Sequence, residues 1–217
     1  MIIHHLEKTN SILNTFISEI RDVNIQKDSL RFRRNIERIG EILGYELSKS
    51  LNYSSEKITT PLGTKESFLP TKGIVLGSIL RAGLPLHQGL LNYFDDAENA
   101  FISAYRNHPK NNDEFEIVVE YFASPSIDNK IVILADPMLA TGQSLVSVFE
   151  AIQKYGSPKE LHLVCVIGST EGIEFIEKHF PKNTHLWIAA IDDELNDKGY
   201  IVPGLGDAGD LAFGAKL

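Results

Sequence analysis

The sequence predicts an α/β protein: a mostly parallel central sheet flanked by helices, with an N-terminal helical segment and a β-hairpin flap. Three observations carry that expectation. From Lys130 onward, apolar runs at 131–135, 161–167 and 185–191 alternate with amphipathic stretches at 144–155 and 171–179. Repeated βαβ units of this kind demand parallel strands with helices on the faces of the sheet. Residues 131–144, IVILADPMLATGQS, pass from an apolar strand through an acidic residue and a small-residue loop into a helix. Such sheets hold ligands at the carboxyl ends of their strands. Lastly, 217 residues at 43% hydrophobic content suit one substantial domain with a real core, so a single unit over 1–217 is expected.

Taken in order, the chain opens with MIIHHLEKTN, whose apolar character is broken by two histidines, a glutamate and a lysine. The stretch is expected to be neither a secretion signal nor a membrane span. The adjacent His4 and His5 lack the i, i+4 spacing of helical metal ligands and are expected to be disordered or on the surface. Between Asp28 and Leu51, the residues Leu30, Ile36, Ile39, Leu43, Leu47 and Leu51 recur mostly every three to four positions, which predicts an amphipathic helix. The helical segment is placed at about 1–70, ending in a polar, turn-rich stretch. GIVLGSIL then reads as a buried strand ending at Arg81-Ala82-Gly83, with a helix from Pro85. Residues 100–105 and 115–122 read as two strands joined by NHPKNNDE, a flap at about 100–125. The alternating units follow, and a glycine-rich tail occupies about 195–217.

The net charge of −8 opposes nonspecific nucleic-acid binding, which depends on basic surface. Any anion site must therefore be locally positive. The single cysteine, Cys165, lies inside the apolar run LHLVCVIG, which excludes an intrachain disulfide and fits a reducing, cytoplasmic setting. No apolar run reaches the roughly 18 residues of a membrane helix.

The strand-to-helix loop at 136–144 is the leading candidate site. Unpaired backbone N–H groups and the positive end of the helix dipole converge there. Thr141 and Ser144 add hydroxyl donors, Gly142 admits a ligand oxygen close to the backbone, and Asp136 can accept bonds from sugar hydroxyls. A ribose phosphate fits that set better than bare phosphate. Arg81 follows one strand and Arg106 ends another, which suits a diphosphate, since guanidinium grips phosphate oxygens in a bidentate fork. The tail YIVPGLGDAGD packs three glycines, a proline and two aspartates into residues 200–210, too many for a continuous helix or strand. It is either a tight surface turn or an ordered loop whose backbone reads a planar ligand.

Other features point to structure. Asp192, Asp193 and Glu194 are expected to be a solvated acidic loop, and Trp187 a core or interface aromatic. His87, His108, His162, His179 and His185 fall in separate elements without ligand spacing, so no zinc site is expected. There is no P-loop, no dinucleotide fingerprint and no nucleophile elbow.

With these residues in hand, the chain resembles the uracil phosphoribosyltransferases of the type I phosphoribosyltransferase fold. The resemblance spans roughly residues 30–217, through LRFRRNIERIGEILGYELSKSL, TTPLG, ILRAGLPL, Tyr105-Arg106, ADPMLATGQS, EGI and GYIVPGLGDAGDLAFG. It implies transfer of the 5-phosphoribosyl group from phosphoribosyl diphosphate to uracil, forming UMP and diphosphate, in pyrimidine salvage. It also implies the roles of residues. Asp136 would bind the ribose hydroxyls, and Pro137, Met138, Leu139, Ala140, Thr141, Gly142, Gln143 and Ser144 would cradle the 5-phosphate. Arg81 and Arg106 would hold the diphosphate. Ile201, Gly206, Asp207 and Ala208 would bind uracil, largely through backbone atoms. Asp207, grouped with the two arginines as catalytic, would reach Mg²⁺ through a water, the metal being held by diphosphate and waters with no direct protein ligand. Relatives are commonly dimeric or tetrameric and some respond to GTP, so the resemblance implies a homodimer or homotetramer and admits GTP as an effector.

The chain departs from the family pattern in three places. Gln143 stands where the loop usually has a second glycine, which strains the backbone only if that position takes positive φ. The flap strand ends Tyr121-Phe122-Ala123-Ser124-Pro125 without the family's lysine, and NHPKNNDEFEI replaces a glutamate-rich connector. These departures leave a noncatalytic sensor of phosphoribosyl diphosphate or UMP as the alternative. A different base ranks lower, because PGLGDAG offers no cation for orotate's carboxylate.

Overall fold

The computed structural model describes residues 1–107 and 116–216, with the side chains of 104–120 outside the described set. The chain begins with β1 (Ile2–His5), a 3-10 turn, α1 (Leu13–Arg21) and the long α2 (Ser29–Ser48). Asp28 caps α2 by accepting from the N–H groups of Leu30 and Arg31, as an N-terminal aspartate should. The hairpin β2 (Tyr53–Thr60) and β3 (Gly63–Pro70) follows, then β4 (Ile74–Leu80), α3 (Gly83–Leu91), β5 (Glu98–Asn107) and β6 (Glu116–Ala123). The second half runs β7 (Ile131–Ala135), β8 (Met138–Leu139), α4 (Gln143–Ile152), β9 (Glu160–Ser169), α5 (Thr170–His179) and β10 (His185–Asp192). It closes with β11 (Glu194–Leu195), β12 (Ile201–Val202) and α6 (Ala208–Phe213).

The main sheet has the order β1-β10-β9-β7-β4-β5-β6, with β8 paired to β9 beside that path. Every neighbouring pair is parallel except β5 with β6, which is the expected flap hairpin. Its connector at 108–115 lies outside the described residues. One face of the sheet packs on α1, α2, α3 and the tail through residues such as Phe32, Leu86, Ile133, Val164 and Ala208. The other packs on α4 and α5 through Leu134, Leu145, Leu163 and Ile173. The strands between these layers are buried on both sides, hence their near-continuous apolar runs.

Several expectations for the first 70 residues are corrected. Leu30 is 64% exposed, and Phe32 takes the buried place on α2. The turn-rich stretch is a regular antiparallel hairpin, paired from Tyr53↔Pro70 to Thr60↔Gly63. His4 and His5 are neither disordered nor loose, because they belong to β1, which adds a parallel edge to β10. His4 lies flat on Trp187 at 3.6 Å between ring centroids and bonds His185 at 3.0 Å. Trp187 is therefore a core aromatic, and its indole N–H donates to His162 Nδ1 at 3.1 Å. The sheet thus gathers three histidines that sequence spacing had kept apart. Among the described residues, no cluster of histidine, cysteine, aspartate or glutamate suits a metal ion.

Candidate active site

The loop between β7 and α4 is built by short-range geometry. The Asp136 N–H continues the sheet by donating to the Val164 carbonyl at 3.1 Å, and its carboxylate accepts from the Met138 N–H at 3.1 Å. Pro137 is buried with its carbonyl taken by the N–H groups of Val166 and Ile167, so it faces the sheet. Gly142 caps α4 at φ +78°, and a Cβ there would meet Ile176 at 2.8 Å. Only glycine suits both that φ and that space.

Behind the loop stands the start of α5. Ser169 Oγ donates to the Ala140 carbonyl at 2.6 Å while accepting the Gly172 N–H at 2.9 Å. A Cβ on Gly172 would sit 2.0 Å from the Ala140 oxygen, so the two backbones touch. Gln143 opens α4 as its first helical residue, and Asn129 is the one non-glycine with positive φ among the described residues. The glycine missing from the family pattern therefore leaves no strained φ at Gln143.

A cavity of about 470 Å³ opens above this loop, within the range of small-molecule sites. It is lined by Arg81, Asp136, Met138, Ala140 and Ser144 on one side, and by Ile201, Gly206, Asp207 and Ala208 on the other. A small adjoining recess is lined by Leu139, Thr141, Gly142 and Ser144. Gln143 and Pro137 line neither. Arg106 lies on β5 opposite Ile117, three residues beyond the last pairing of β5 with β4 at Ser103, and its side chain is outside the described set. The first turn of α4 leaves backbone N–H groups without helical partners, and Ser144 of that turn lines both the cavity and the recess.

The tail is an ordered loop. Asn196 bridges a turn by accepting from the N–H groups of Lys198 and Tyr200, β11 pairs with β12, and Asp207 caps α6 by accepting the Asp210 N–H at 2.9 Å. Ile201, Leu205 and Ala208 are buried, so the loop is anchored by apolar side chains while Gly199, Gly206 and Gly209 line the cavity.

Residues unmarked by the sequence also appear here. Tyr200 and Lys216 line the cavity, and Asp210 pairs with Arg81 at 3.0 Å, the Arg81 guanidinium also donating to the Gly214 carbonyl at 3.1 Å. Lys216 follows the glycine-rich motif in a stretch with no local signal of its own. Asp192, expected in a solvated loop, is 8% exposed and accepts both guanidinium N–H groups of Arg21 at 2.7 and 2.8 Å. Burial and the nearby Asp136 carboxylate raise the Cys165 thiol well above its usual range, which leaves it a neutral core residue.

Comparison with known proteins agrees with this geometry. The family model for uracil phosphoribosyltransferase matches residues 8–215. A uracil phosphoribosyltransferase of Porphyromonas gingivalis is 52% identical over 217 residues, covering 100% of both chains. A solved protein of Aquifex aeolicus superposes with a TM-score of 0.88 at 31% identity, also over 100% of both chains. Orotate phosphoribosyltransferase of Mycobacterium tuberculosis shares the fold alone, at 15% identity and a TM-score of 0.52 over 87% of this chain and 95% of that one. A parallel sheet with this loop, this cavity and this tail, matched by the family model over nearly its whole length, places the chain in the uracil phosphoribosyltransferase family.

Proposed function

We infer that the protein transfers the 5-phosphoribosyl group of phosphoribosyl diphosphate to uracil, giving UMP and diphosphate. The observation that carries this reading is the single cavity in which the strand-to-helix loop, Arg81 and the glycine-rich tail meet. The loop supplies backbone donors for a 5-phosphate around Thr141, Gly142 and Ser144, and Asp136 supplies acceptors for ribose hydroxyls. Backbone groups of Ile201, Gly206 and Ala208 offer an uncharged edge to the base.

Breaking the bond from ribose C1 to diphosphate builds positive charge on the sugar and negative charge on the leaving group. Catalysis then consists of stabilising diphosphate and aligning N1 of uracil. We assign Arg81 and Arg106 to the leaving group and Asp207 to the rim between sugar and diphosphate. Asp136 and Asp207, the two carboxylates that line the cavity, would hold a hydrated Mg²⁺ there beside the diphosphate. When bound it would neutralise leaving-group charge. The residues themselves orient the sugar and hold the base, and none of them has the setting of a strong general base.

The noncatalytic alternative drew on Gln143 and on the missing flap lysine, and the regular helical position of Gln143 removes the first of these motives. UMP formation from uracil, phosphoribosyl diphosphate and Mg²⁺ tests the assignment. A folded protein without turnover refutes it. We further propose a homodimer or homotetramer, supported by the β2–β3 hairpin, which stands out with Phe68 70% exposed and Leu62 fully exposed. A cytoplasmic setting is supported by the single buried cysteine, and no helix among the described residues is long and apolar enough to cross a membrane. GTP activation is a separate proposal, tested by assaying turnover with and without GTP.

A further inference from the structure

The tail presents backbone atoms to the cavity, yet residues 203–207 belong to no helix or strand, and the elements on either side, β12 and α6, span two and six residues. Its shape is set from far along the chain. Arg21, the last residue of α1, forks onto both carboxylate oxygens of Asp192, the last residue of β10, and also donates to the Gly204 carbonyl at 3.0 Å. Asp192 Oδ2 in turn accepts the Gly204 N–H at 3.0 Å. Both backbone polar groups of Gly204 are thus fixed by one ion pair. Gln26 adds a second tie, with Nε2 donating to the Ile20 carbonyl at 2.8 Å and the Leu205 carbonyl at 3.2 Å. Gly204 itself has φ +57°, and a Cβ there would lie 2.1 Å from the Ile201 oxygen.

Neither Arg21 nor Asp192 lines the cavity, but Gly206, two residues past the clamped glycine, does. Charge-assisted bidentate bonds are short and directional, so they fix geometry more sharply than a single bond does. A buried pair of this kind is a poor source of net stability, and specifying one conformation is its best-attested use.

We propose that Arg21 and Asp192 are positioning residues for base recognition: by clamping Gly204 they set the backbone of residues 201–208 at the geometry that receives uracil. This rests on the reading of the tail as the base-binding wall.

The test combines kinetics with amide hydrogen exchange in Arg21→Ala, Asp192→Asn and the milder Arg21→Lys, which keeps the charge but loses the fork. We expect KM for uracil to rise about tenfold in Arg21→Ala and less in Arg21→Lys, with KM for phosphoribosyl diphosphate unchanged. Amides of residues 204–206 should exchange faster in each variant, and UMP should protect them in the unaltered protein. If Arg21→Ala does not fold, Arg21→Lys and Asp192→Asn carry the comparison. Folded variants in which both KM values move together, or in which exchange is unaltered, overturn the clamp. Faster exchange in the variants, combined with no protection by UMP in the unaltered protein, instead overturns the base-binding reading and the positioning role with it.

Discussion

The loop of residues 136–142 and the tail of residues 199–207 face each other across one cavity, but they are held in place by different means. The first is braced by its own βαβ unit and the helix that follows it: β7 leads into it, β9 takes its backbone, and Ser169 and Gly172, at the start of α5, close behind Ala140. The second is tied by side chains 129 to 183 residues away, through Arg21 to Asp192 and Gly204, Gln26 to Leu205, Arg33 to the Ala212 carbonyl, and Arg81 to Asp210. A cradle made of neighbouring backbone is fixed once the sheet forms. A wall hung on distant side chains is fixed only when the N-terminal helices are docked. Phosphoribosyl binding and base binding are therefore separable by mutation, although they share one cavity.

That separation predicts a graded series. Gly172→Ala should have the largest effect, because the new Cβ would lie 2.0 Å from the Ala140 oxygen and must push the phosphate loop aside. Misplacement on this scale lowers turnover on the order of 100-fold, and kinetics should locate the loss on phosphoribosyl diphosphate, with uracil KM unmoved. Gly204→Ala strains φ and crowds Ile201, and should reduce kcat/KM for uracil about tenfold while sparing phosphoribosyl diphosphate. If both substrates suffer equally in either variant, the two walls are one unit and the comparison fails. Asp136→Asn sharpens the first half: it should raise KM for phosphoribosyl diphosphate about fivefold by weakening ribose contacts, with cooperative unfolding retained.

The smallest effect on either wall is expected from the histidines of the sheet edge, which serve as a control. Burial, reinforced by His185 and His4, holds His162 at about 3, and burial also lowers His4 and His185. His162 stays neutral in the fold down to about 3, whereas the unfolded chain takes up its proton below 6.5. The stability it contributes is then complete above 6.5 and is lost as pH falls toward 3, at about 1 kcal/mol per pH unit. Urea unfolding between pH 7 and 5 should show this slope, and His162→Gln should flatten it without changing the ratio of the two KM values.

The parts legible in the sequence are those whose physics is local. The phosphate loop announces itself because strand, turn glycine and helix start lie within 131–144, and α2 does so through its apolar period. The β2–β3 hairpin is hidden because nearly every residue in it is exposed, which leaves no alternation of apolar and polar faces to read. β1 is hidden because its four residues gain strand character only from pairing with β10. Asp192 looks solvated beside Asp193 and Glu194, and only the fold brings Arg21 to it across 171 positions. Similarly, Arg81 is marked as a cation at a strand end, but nothing in its neighbourhood marks Asp210 as its partner.

Trp187, the chain's single tryptophan, lies between His4 and His162 at the edge of the sheet, far along β10 from the tail that Asp192 holds. Its emission is thus a built-in optical gauge of how firmly the first strand is attached. The stacked imidazole of His4 changes charge on acidification, so the signal will respond to pH and to peeling of residues 2–5. Changes confined to the cavity loops, beyond Asp192 at the far end of β10, should leave its emission nearly constant. Fluorescence titrations with substrate should accordingly use a reporter introduced near the cavity, and reserve the native indole for following the edge.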